Sequence, residues 1–191
     1  MRTIFAGFLI SLFSLATTSA AIVITGFGST GESGASPFTV DTTNTNFGFT
    51  QTASEILING SDSGSILAGT FTSVNITGQN TIQLTLKVTG TNPNSNFSVE
   101  LFDPTFTLIR TYTGNFASFG SSFTQVTLKP SATNPTFTSI AGFQFTANGS
   151  GTAVNATLDT LTAVPEPSSY AFMILGLSVV SFMAKRKMGA A

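Results

Sequence analysis

"TIQLTLKVT", residues 81–89, sets the fold class of this 191-residue chain. Ile82, Leu84, Leu86 and Val88 alternate with Gln83, Thr85, Lys87 and Thr89. A period of two sends one row of side chains into a core and the other into water, the signature of a half-buried strand. The same beat recurs at Phe97, Val99 and Leu101 before Asp103-Pro104 marks a turn. Val126 and Leu128 alternate with Gln125, Thr127 and Lys129 until Pro130, and Phe143 and Phe145 flank Gln144. Asn148-Gly149 reads as a hairpin-type turn, and "NGSDSG", residues 59–64, as another turn. Weaker strand patterns cover residues 55–59, 67–77, 108–113 and 154–162, while residues 26–46 read as loop or irregular edge. No helical periodicity stands out between residues 22 and 164. The expectation is an all-β protein: an antiparallel β-sandwich or jelly roll of about eight to ten short strands.

Composition narrows the chemistry. Charged residues make up 8% of the chain, against about 25% in typical globular domains. Thr, Ser, Asn and Gly take their place and favour strands and turns. Between residues 21 and 164 only Lys87, Arg110 and Lys129 face seven acids, so no basic stripe exists for nucleic acid. With no Cys there is no disulfide framework, thiol nucleophile or Cys-ligated zinc site. With no His, the usual general base of a Ser or Cys triad is missing too. A non-catalytic protein is expected.

Both ends read as addresses. Arg2, the apolar run Ile4–Leu15 and the small residues Thr18 to Ala21 have the layout of a secretory signal peptide over residues 1–21. The body is expected over residues 22–163. The remainder, 164–191, opens with Pro165, Glu166 and Pro167, where the prolines hold the chain extended and stop any helix from growing back into the body. Residues 168–184 are uncharged and mostly apolar, at the short end of the roughly 17–25 residues that span a bilayer as a helix. Lys185, Arg186 and Lys187 follow at once, and such cations stay on the cytoplasmic side as a stop-transfer signal.

Val-Pro-Glu-Pro, an apolar span of this length and a terminal Lys/Arg cluster together resemble the PEP-CTERM sorting signal. The resemblance covers about 25 of the 191 residues. It implies secretion by a Gram-negative bacterium and processing by a membrane-embedded exosortase, often alongside exopolysaccharide production. Pro165, Glu166 and Pro167 would then be the recognition motif, and this chain would be a substrate of an enzyme. The implied route is export, anchoring in the membrane by the C-terminal helix, and delivery to the cell surface or extracellular matrix. The other readings are a simple C-terminal anchor and a module that binds exopolysaccharide.

The body also resembles galactose-binding-like jelly-roll modules in the order of "GSILAGTF", "FSVELFDPTFTLIRTYTG" and the terminal "TLDTLTAV". Asp159 lies in that last segment, where Leu158 and Leu161 break the alternation. An acid so placed in those modules helps hold a structural calcium, which makes Asp159 a candidate ligand. Asp41, Asp62, Glu100 and Asp103 could add oxygens, but Ca²⁺ takes six to eight and no loop spacing for it occurs. The plainer reading is an Asp at a bulge or facing water, with no cofactor required. For sugar stacking the chain has no Trp, and Tyr112 is the one Tyr outside the tail. Phe102 and Phe106 are the candidates for exposure, with most other Phe expected in the core.

Overall fold

The computed structural model describes residues 20–165 except 32–34, 91–92, 129 and 132–138. Ala21–Val164 form one compact unit. Its strands are β1 (Ile22–Thr25), β2 (Thr39–Val40), β3 (Gly48–Gln51), β4 (Ile56–Asn75), β5 (Thr81–Val88), β6 (Asn96–Phe102), β7 (Leu108–Asn115), β8 (Thr124–Leu128) and β9 (Ser139–Val164). Among the described residues the one helical element is a single 3₁₀ turn, Phe116–Ser118. Each strand-to-strand pairing is antiparallel. The all-β antiparallel expectation therefore holds, in an arrangement consistent with a sandwich.

Two long strands organise it. The second half of β9 pairs with the first half of β4 and with β1 along one edge, and with β5 along the other. β3 extends this group beyond β4, and β8 extends it beyond β5. The first half of β9 pairs with the second half of β4 and with β6, and β2 and β7 flank those strands. Inward rows from both groups meet in one core: Ile82, Leu84, Leu86, Leu158 and Leu161 from the first, Phe97, Val99, Leu101, Phe143 and Phe145 from the second. The rings of Phe27, Phe38 and Phe143 meet edge-on at 5.0–5.8 Å, and Phe97 stacks on Phe145 at 4.9 Å. Full burial of a side chain of this size stabilises by about 2–3 kcal/mol, and a Phe-filled core serves a chain without cross-links.

The alternating rows at residues 82–88 and 97–101 are buried as expected. Two expected turns are not reversals. Asn148-Gly149 lies inside the 26-residue β9, and Asn59–Gly64 lies inside the 20-residue β4, so the strands are not all short. Both stretches are irregular, yet β4 and β9 pair with each other on either side of the irregularity. Ser61 faces Ala153 and Ser63 faces Asn148, leaving Gly149–Thr152 as an excursion opposite Asp62 alone. Gly64 and Gly151 supply the positive φ (71° and 109°) that such bulges need. The turn chemistry bends the ladder here instead of ending it.

The bend makes the far ends of the two groups coincide. Asn75 pairs with Ser139 at the end of one group, and Thr81 pairs with Val164 at the end of the other. Residues 76–80 join them, tightened by a turn in which Gln79 donates to the Ile76 carbonyl. Ile22 pairs with Ala163 at the same place. The body therefore begins and finishes side by side, at the end opposite the bend.

Candidate functional site

The root of the C-terminal tail is firmly held. Ala163 is fully buried, with Ile22 on one side and Ile82 on the other, and Val164 pairs with Thr81. Pro165 has no N–H to continue the ladder, and β9 stops one residue before it. Glu166, Pro167, the apolar segment 168–184 and Lys185 to Lys187 lie outside the described residues, as does the signal-peptide segment up to residue 19. Among the described residues no helix is long and apolar enough to cross a membrane.

Asp159 sits at a bulge. Thr85 faces Thr160 but Leu86 faces Leu158, so Asp159 is the extra residue on β9. This shift accounts for Leu158 and Leu161 both pointing inward despite a spacing of three. Asp159 is half-buried, and its Oδ2 accepts from the Thr160 hydroxyl at 3.5 Å. The other acids named as oxygen donors do not gather around it. Asp41 is used by its own turn, accepting from the Thr43 N–H and the Asn44 side chain. Glu100 faces Gln144. Among the described residues no three carboxylates lie together in a way that could hold a metal ion.

Asp62, which reads in the sequence as one member of a polar turn, is buried at 1% exposure. Its Oδ1 accepts from the backbone N–H groups of Gly151 and Thr152, each at 2.6 Å. Gly149 lies so close beneath the carboxylate that a Cβ there would overlap Asp62 Oδ2. Burial pushes the Asp62 pKa up, but the Ser95 hydroxyl and the two N–H groups outweigh it and hold the carboxyl below the usual range. A buried anion here pins the two bulges together. In the sequence its only signal was an acid among Ser and Gly, which looks the same as a solvated loop.

The aromatic candidates divide. Phe102 is half-buried and lies over Gly142, where an added Cβ would meet it at 3.1 Å. Tyr112 is fully buried, its hydroxyl directed to the Asn80 carbonyl. Phe106 is 68% exposed at the tip of the β6–β7 loop, with Leu108 also exposed. The loop closes on Asp103: Oδ1 accepts from the N–H groups of Thr105 and Thr107 at 2.8 and 2.9 Å, and the Asp103 carbonyl accepts from Phe106. The Thr105 hydroxyl and the Thr107 N–H hold the Asp103 pKa below its ordinary value. That frame fixes Phe106 at φ 62°, a left-handed conformation that costs a non-glycine residue about 1–2 kcal/mol.

No curated protein matches the sequence. Among solved structures the chain is similar to a low-affinity xylan-binding module from the gut symbiont Roseburia intestinalis, at 10% identity and a TM-score of 0.47 over 76% of this chain and 95% of that one. It is also similar to a family 29 carbohydrate-binding module from Piromyces equi, at 10% identity and a TM-score of 0.47 over 76% and 90%. A third is a Clostridium stercorarium protein solved in complex with cellobiose, at 12% identity and a TM-score of 0.42 over 67% and 87%. Beginning two residues before the root at Pro165, residues 163–187 match the PEP-CTERM protein-sorting motif.

Proposed function

We propose that this chain is an exported, non-catalytic surface or extracellular-matrix protein, sorted by its C-terminal tail and processed there by an exosortase-type enzyme. Residues 1–21 act as the signal peptide and residues 22–163 as the delivered body. In the tail, Pro165, Glu166 and Pro167 form the recognised motif, residues 168–184 span the membrane, and Lys185, Arg186 and Lys187 stop transfer. The observation that carries this reading is the motif match over residues 163–187, which starts on the last residues of β9. A strand held along both edges passes straight into a Pro-framed peptide, so the processing enzyme meets an extended chain that the body cannot absorb. The absence of His and Cys from the whole sequence supports a non-catalytic role.

The test is the intact mass and fractionation of the protein in its native host. Wild type should lose its tail and reach the surface. With Pro165, Glu166 and Pro167 all replaced by Ala, the protein should stay in the membrane at full tail length. If both forms keep Lys187 in the membrane fraction, the tail is a simple anchor and the sorting reading is wrong.

A further inference from the structure

The end of the body that carries the tail also carries the most exposed large apolar side chain among the described residues, Phe106. Val164 pairs with Thr81, and the neighbouring Asn80 accepts from Arg110 Nη1 through its carbonyl at 3.2 Å and its side-chain oxygen at 3.3 Å. Arg110 lies two residues beyond Leu108 on β7, and Phe102, where β6 ends, pairs with both Leu108 and Gly142, the latter three residues from the start of β9. The β6–β7 loop therefore stands at the end where the chain enters and leaves, away from the bend. Phe106 is 68% and Leu108 48% exposed, and Val23, on β1 beside the exit, is 40% exposed.

We propose that this tip, Phe106 with Leu108, rests in the lipid–water interface while the tail still anchors the protein. The proposal builds on the sorting reading above. The occupant follows from the length of chain beyond the body: four residue steps separate Val164 from Ser168, where the apolar segment begins, and cover at most about 14 Å even when fully extended. A body held that close must turn its exit end to the bilayer, and the exposed apolar side chains at that end are the ones that meet it. The tip is preformed, since Asp103 locks the loop through Thr105 and Thr107. Among the described residues its charged neighbours are accounted for within the body, Asp103 by its own loop and Arg110, 5% exposed, by Asn80. The contact is accordingly apolar and does not depend on anionic lipid.

The chain has no Trp, so Phe106→Trp introduces a single fluorophore at the tip. Leu108→Trp is a second reporter there, and Phe123→Trp, next to Lys87 near the bend, is the distant control. Each full-length variant is reconstituted into phosphatidylcholine vesicles, with and without phosphatidylglycerol, some carrying brominated acyl chains. An interfacial side chain sits about 5–10 Å into the headgroup–acyl boundary, so tip Trp emission should shift to the blue and be quenched severalfold more than at position 123, in either lipid. Protein that floats with the vesicles but shows equal or no quenching at the two ends overturns the proposal and leaves the anchor intact. Quenching that requires phosphatidylglycerol overturns its apolar basis. Protein that does not float overturns the anchored reading, and this proposal with it.

Discussion

Replacing Asp62 by Ala tests whether the bend is held by a single buried anion. The substitution removes two charge-assisted hydrogen bonds, from the N–H groups of Gly151 and Thr152, each at 2.6 Å. A hydrogen bond to a charged group contributes about 1.5–3 kcal/mol net. Gly151 and Thr152 are themselves exposed, so water can replace part of what is lost and the lower end of that range applies. The expected loss is about 3 kcal/mol, or a fall in Tm of roughly 10 °C for a body of this size. Asp62→Asn keeps an acceptor oxygen but not the charge and should cost about half as much. The pH dependence fixes the sign. A carboxyl whose folded pKa lies below its unfolded value stabilises the fold at neutral pH, and that contribution disappears as pH falls through the folded pKa. Thermal unfolding followed by circular dichroism between pH 7 and pH 2 should show wild type and Asp62→Asn converging at the acid end. An Asp62→Ala protein within about 1 kcal/mol of wild type at pH 7, or a gap between wild type and Asp62→Asn that does not narrow as pH falls, would falsify the pinning argument.

Gly149→Ala puts a Cβ into the Asp62 carboxylate and should be at least as damaging as Asp62→Ala, while the double variant should cost clearly less than the sum of the two; additivity in unfolding free energies would show that the two residues are not coupled. Phe106→Gly should raise stability by about 1 kcal/mol, because it relieves a left-handed φ at an exposed position, and a loss seen in denaturant melts would mean that the ring packs on the body. Adding calcium or a chelator should leave the Tm of wild type and of Asp159→Ala unchanged, and a calcium-dependent rise lost in the variant would restore Asp159 as a ligand.

The strands were legible wherever one face is wet. Residues 82–88 and 97–101 alternate because each side chain has only two destinations, and the core rows follow directly. Even the phase break between Leu158 and Leu161 was readable, as a bulge at Asp159. What stayed hidden was continuity. Asn148-Gly149 carries the local chemistry of a reversal, but whether a chain reverses depends on where its next partner lies, and β9 meets β4 again beyond the excursion. The same holds for Asp62: nothing near it in sequence gives away two donors 89 and 90 residues further on. Local propensity specifies conformation, while long-range pairing decides what that conformation is used for.

The position of β9 ties the fold to the tail. It is the last strand among the described residues, yet it is interior to both groups, pairing with β4 and β6 in one and with β1, β4 and β5 in the other. Without it, β5 and β8 have no connection through pairing to β4, and neither do β6 and β7. The inward rows of β5 and β6 then lack the Phe143, Phe145, Leu158 and Leu161 side chains that complete the core. A chain that emerges from a membrane N-terminus first cannot close this core until residue 164 is through. If the apolar segment that starts at residue 168 is the membrane span proposed above, it follows residue 164 by at most about 14 Å of chain. On that proposal, completion of the fold coincides with arrival of the Pro165–Pro167 motif at the membrane surface. A body whose central strand came early in the sequence could fold well away from the membrane and would leave the motif on a free tether.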